Sequence, residues 1–114
     1  MNNLVILYKE KYLMKYIEQY IFASFPKADL GLKIKIESNM YDLIENTIRA
    51  NINVGNIRNK YQKEVLVNIS LLDFYFGVVY DKQIIIKKRF LTVLRILAEI
   101  ERMVKAWMGN EESK

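Results

Sequence analysis

Proline occurs once in this chain, at Pro26, and on both sides of it apolar residues recur at helical spacing for about 20 residues at a time. A sequence so poor in helix breakers is committed to long helices. Pro26 drives Phe25 out of the α region, so Ser24-Phe25-Pro26-Lys27 ends a first helix predicted over about Asn3 to Ala23. Its stripe is Ile6, Leu13, Ile17 and Tyr20, with Met14 and Ile21 beside it and Lys9, Lys11, Lys15 and Gln19 opposite. A second helix starts from Asp29 as N-cap and presents Leu32, Ile36, Met40, Leu43 and Thr47, widened by Ile44 and Ile48.

Asn51-Ile52-Asn53-Val54-Gly55-Asn56 is the densest turn chemistry in the sequence. The third helix is predicted from about Asn56 to Tyr80 and the fourth from about Ile86 to Met108. In the fourth, Phe90, Val93, Leu94, Leu97, Ile100, Val104 and Trp107 face inward, while Arg95–Glu99 and Glu101–Lys105 pair at i,i+4 outside. Gly109 is expected to stop it. Only Val65–Ile69 and Gln83–Ile86 are β-branched enough to suggest strands, and neither has a partner segment at hairpin spacing. The expected fold is all-α, an up-down-up-down antiparallel four-helix bundle over residues 1–109, with a frayed tail at 110–114.

Chemistry is narrowed by what the sequence lacks. Without His or Cys there is no His-based triad, thiol nucleophile, disulfide scaffold or Cys/His zinc site. Di-iron bundles need paired Glu-x-x-His motifs, and no P-loop, nucleophile elbow or HExxH motif occurs. Glu37, Glu45, Glu64 and Glu99 are scattered over helix surfaces. The expectation is a non-enzyme with no catalytic residue, metal or cofactor. Met1-Asn2-Asn3-Leu4 does not open a signal peptide, and the longest apolar stretch, Val65 to Val79, falls short of the roughly 20 residues of a membrane span. A cytoplasmic protein without a membrane partner is expected.

The third helix is too apolar for one buried stripe. Leu66, Val67, Ile69, Leu71, Leu72, Phe74, Tyr75, Phe76, Val78 and Val79 spread around its circumference. Only Ser70, Asp73 and Gly77 make a polar or small stripe. Burial against another copy of the chain is the expected solution, with Leu71, Phe74, Tyr75, Phe76 and Val78 as candidate interface residues. Asp73, inside that run, is expected to find Arg95, Arg102 or a donor across the interface.

Antiparallel topology turns sequence position into location. The first and third connections share one end of the bundle. That end carries Lys27, Lys33, Lys35, Lys82, Lys87, Lys88 and Arg89 against Asp29 and Asp81 alone, so the chain's whole net charge of +5 falls there. Such one-sided cations suit phosphate backbones, which makes these seven residues the candidate nucleic-acid-binding set. With no imidazole present, the charge holds across physiological pH.

Several stretches together resemble a known family. Phe25-Pro26-Lys27, Leu32-Lys33-Ile34-Lys35-Ile36-Glu37, Asp42-Leu43-Ile44-Glu45 and Ala50-Asn51 are followed in order by Tyr80-Asp81, Lys87-Lys88-Arg89-Phe90 and Glu99-Ile100-Glu101-Arg102-Met103 with Trp107. Over about residues 6 to 108 this order resembles the Avd-like four-helix-bundle proteins, accessory variability determinants of diversity-generating retroelements. The resemblance implies a homopentamer with a basic surface and no catalytic residues. Its implied partners are the element's reverse transcriptase and the RNA and DNA of mutagenic template-repeat copying. One departure is plain: where the family often has Leu-Arg-x-x-Leu-Arg, this chain has Leu72-Asp73-Phe74-Tyr75-Phe76-Gly77. Bundle proteins of the 23S rRNA intervening-sequence type are the second resemblance, through Asn51-Ile52-Asn53-Val54-Gly55. A purely protein-binding oligomeric bundle is the other alternative.

Overall fold

Four helices carry the chain: α1 over Asn3–Tyr20, α2 over Leu30–Ile52, α3 over Gly55–Asp81 and α4 over Lys87–Glu112. They belong to a computed structural model that describes residues 3–112, and no strand occurs among the described residues. α1 packs against α2 and α4, and α3 against the same two, which leaves α1 and α3 on diagonal corners. Side-chain contacts fix the directions. Glu10 meets Thr47 near the end of α2, Asn46 meets Asn68, Tyr80 stacks on Phe90, and Lys9 pairs with Glu99. Early residues of each helix therefore face late residues of its neighbour. The bundle is antiparallel throughout and measures 48 × 23 × 20 Å.

The core follows the expected stripes with a few exchanges. Ile6, Leu13 and Ile17 are buried, but Ile21 takes the last inward position of the first stripe and Tyr20 turns outward. α1 ends at Tyr20, about one turn short of Ala23, and short 3-10 turns at Phe22–Ser24 and Lys27–Asp29 lead the chain around Pro26. From α4, Val93, Leu97, Ile100, Val104 and Trp107 are buried as the periodicity requires, joined by Ile96. Both predicted α4 pairs form, Arg95 with Glu99 at 3.1 Å and Lys105 with Glu101 at 3.0 Å.

Three expectations need correction. Gly109 does not stop α4, which runs on to Glu112 through Asn110 of the expected tail. Gly109 lacks the positive φ of a helix-ending glycine, and a glycine inside a helix costs only about 1 kcal/mol. Ser113 and Lys114 lie outside the described residues. Phe76 is fully buried in the core of its own chain and is removed from the candidate interface. Asp73 is largely exposed and forms no ion pair with Arg95 or Arg102 among the described residues, so of its three expected partners only the donor across an interface remains. Partial burial, and secondarily the nearby Glu101 carboxylate, hold its carboxyl above the usual range.

The two tight connections are built differently. Between α2 and α3, Gly55 takes φ 61°, and Arg58 Nε donates to the carbonyls of Ala50 and Asn53 at 2.9 and 2.7 Å. A cation on the carbonyl end of α2 complements its dipole. Between α3 and α4, the Ile84 amide donates to the Val79 carbonyl and the Gln83 amide to that of Tyr80, with Gln83 at φ 62°. This is a Schellman turn in which glutamine occupies the left-handed position that favours glycine.

Three polar groups interrupt the core, one of them Gln62 of α3, whose buried Nε2 has no hydrogen-bond partner among the described residues. Glu10 is fully buried, and burial pushes its carboxyl up to about 8, against the smaller opposing effect of the Thr47 hydrogen bond. Thr47 Oγ1 lies 2.6 Å from Glu10 Oε2 and 3.0 Å from the Leu43 carbonyl. One hydroxyl proton cannot serve both acceptors. A protonated Glu10 resolves this by donating to Thr47 Oγ1, whose own hydroxyl then donates to the Leu43 carbonyl. Between α2 and α3 the polar contact is neutral: Asn46 Nδ2 donates to Asn68 Oδ1 at 2.9 Å, and Asn68 Nδ2 to Asn39 Oδ1 at 3.4 Å.

Candidate nucleic-acid interface

The first and third connections meet at one end of the bundle, where Lys82 Nζ reaches Asp29 Oδ1 across 2.9 Å. Asp29 holds the N-cap position of α2 but makes no capping hydrogen bond with its side chain. Its carboxylate serves Lys82 instead. A second tie joins α4 to α1: Arg89 Nη1 donates to the Tyr20 carbonyl at 3.2 Å, and its guanidinium lies 4.8 Å from the Tyr20 ring centroid. Tyr80 and Phe90 stack with centroids 4.5 Å apart and planes 2° from parallel, fixing the end of α3 on the start of α4.

All seven cations of the candidate set therefore belong to one end, in different roles. Lys82 is occupied by Asp29, and the Lys33 ammonium lies 5.3 Å over Phe22. Lys27, Lys35, Lys87 and Lys88 are exposed and without an ion pair among the described residues. Lys87, Lys88 and Arg89 open α4, whose first turn holds no acidic residue. Cations there oppose the helix dipole, at about 0.3–1 kcal/mol each, and an incoming phosphate would reverse that sign.

Beside the cluster runs a feature that the sequence reading passed over. Tyr12, Tyr16 and Tyr20 of α1, with Ile86, Lys88 and Arg89, line an open groove of about 380 Å3. The signal was available in the sequence: Tyr8, Tyr12, Tyr16 and Tyr20 follow one another at i,i+4. It was masked because a tyrosine reads equally well as core, and Tyr20 fits the inner stripe on period alone. Lower on the same α1–α4 seam, Lys9 meets Glu99 at 2.6 Å. The hydrogen bond and charge of Lys9, with help from Arg95, hold the Glu99 carboxyl below the usual range.

The candidate interface on α3 divides. Phe74 is 66% exposed and Leu71 38%, with Val67 continuing the row at 51%, whereas Tyr75 and Val78 are half-buried. The excess apolarity of α3 thus reduces to one outward row. No group of three or more acidic residues placed to hold a metal ion occurs among the described residues, and none of their helices is long and apolar enough to cross a membrane. No family model, curated protein or solved structure matches this chain.

Proposed function

We infer that this protein is a non-catalytic, self-associating bundle that binds nucleic acid backbones through its basic end. In the setting that the family resemblance implies, it is an accessory subunit of a diversity-generating retroelement in the cytoplasm. There it would bind the reverse transcriptase together with RNA and DNA during copying of the template repeat. The observation that carries the reading is the cation cluster at the start of α4. Lys87, Lys88 and Arg89 sit at the positive end of a helix dipole with no acid in the same turn. Arg89 finds the Tyr20 carbonyl, but the Lys87 and Lys88 charges in this unfavourable place are understandable if an anion completes the arrangement. The exposed row of Val67, Leu71 and Phe74 supports self-association, which would multiply the basic end within one particle.

RNA binding measured across a salt series tests this. Backbone recognition predicts a log–log slope of about −0.7 for each single-strand phosphate neutralised. Absence of binding at low salt would refute the nucleic-acid reading. Solution mass with and without RNA tests self-association, and a monomer under both conditions would refute it. A reverse-transcriptase gene with paired variable and template repeats beside the coding sequence would support the retroelement setting; a neighbourhood without one would count against it.

A further inference from the structure

In the tyrosine row of α1, Tyr16 packs against the core and Tyr20 carries Arg89, whereas Tyr8 and Tyr12 have no such structural duty to account for their exposure. Tyr8, Tyr12 and Tyr20 are 67%, 54% and 40% exposed, yet a soluble helix surface is usually built from charged and small polar side chains. Tyr16 lies against Tyr20, with centroids 4.9 Å apart. Residues four apart on a helix are stacked along one oblique row about 6 Å apart in rise. The row runs toward the basic end and finishes under the Arg89 guanidinium.

We propose that the groove of Tyr12, Tyr16, Tyr20, Ile86, Lys88 and Arg89 is a binding track for single-stranded nucleic acid, with bases stacked on the tyrosines and phosphates held by Lys88 and Arg89. This rests on the nucleic-acid reading above and goes beyond it by naming the strand state and the stacking residues. Every base has a π face, so a row of exposed rings beside cations accepts single strands with little regard to sequence. A duplex keeps its bases stacked on one another and offers those rings nothing. Arg89 is already oriented by the Tyr20 ring and carbonyl, which leaves the rest of its N–H fork for a phosphate. Ile86, 62% exposed at the groove edge, adds an apolar contact for a base or sugar.

Charge also argues against a second copy of the chain as occupant. Two copies joined face to face here would bring two ends of net +5 together. The exposed aliphatic and phenyl row of Val67, Leu71 and Phe74 on α3 is the better surface for self-association.

The test compares an oligouridylate with an RNA duplex of matched length, using the full chain and its Tyr12→Leu and Tyr12→Phe variants. Tyr12 is more than half exposed, so both variants should keep native helicity, checked by circular dichroism. Native protein is expected to prefer the single strand. Tyr12→Leu should weaken oligouridylate binding about tenfold with an unchanged salt slope and leave duplex binding alone, while Tyr12→Phe retains native affinity. Equal oligouridylate affinity for native and Tyr12→Leu protein overturns the groove but leaves backbone binding at the basic end standing. A native protein that binds neither probe, or binds an acidic peptide in preference to both, overturns the groove and the function together.

Discussion

α1 and α3 occupy diagonal corners of the same bundle, and each exposes a row of large apolar side chains beside a buried polar residue. On α1 the row is tyrosine, it borders Lys88 and Arg89, and the buried polar residue is the ionisable Glu10. On α3 the row is Val67, Leu71 and Phe74, and the buried polar residues are the neutral Asn68 and Gln62. Similar exposed area therefore carries different meanings. Rings with hydroxyls next to cations suit a charged, stackable ligand, whereas bare aliphatic and phenyl groups suit another apolar surface. The polar residues differ in the same way: one core contact can respond to pH and the other cannot.

That last contrast gives the largest expected effect. A folded Glu10 that titrates near 8 keeps its proton while the unfolded carboxyl, near 4.5, has lost it. Its contribution to stability is full below about pH 4.5, declines as pH rises, and is gone above about pH 8, up to about 5 kcal/mol in all. Urea unfolding across this range should show the decline in native protein and its loss in Glu10→Gln. An Asn68→Ala protein should keep the native pH dependence whatever its stability. A pH-independent native protein would remove the distinction between the two corners.

Phe74 and Phe76 test α3 from within. Phe76→Ala should lower unfolding free energy by about 3–5 kcal/mol, the usual loss for a fully buried ring. Phe74→Asp should leave single-chain stability within about 0.5 kcal/mol but reduce particle mass in light scattering. Unchanged mass in Phe74→Asp would break the assignment of self-association to this row. On the α1 side, reversing Lys87, Lys88 and Arg89 together to Glu should weaken RNA binding about a hundredfold, near 2.7 kcal/mol, in filter-binding or anisotropy measurements. Helicity should hold, because acidic residues suit the first turn of α4.

The smallest effect lies in the turn that connects α3 to α4. Gln83→Gly should stabilise the protein by about 0.5–1 kcal/mol, since φ 62° strains a side chain and not a glycine. Thermal unfolding reads this directly, and RNA affinity should not change. A destabilised Gln83→Gly would show that the Gln83 side chain supports the turn by more than its backbone.

Much of the bundle was legible in the sequence because local rules suffice for it. Pro26, the Asn51–Asn56 turn and the 3.6-residue stripes of α2 and α4 determine four helices and their directions. Short connections then place the basic residues at one end, and i,i+4 spacing determines the Arg95–Glu99 and Lys105–Glu101 pairs. Only the tertiary structure decided which faces meet. Where α3 is apolar around most of its circumference, periodicity cannot choose Phe76 over Phe74, and the packing of α2 and α4 makes that choice. Glu10 sits at core spacing between Ile6 and Leu13, but charge alone assigns it to solvent until the fold buries it. Likewise the groove exists only because α4 begins beside the end of α1, so that residues far apart in the chain, Tyr20 and Arg89, come to share one contact.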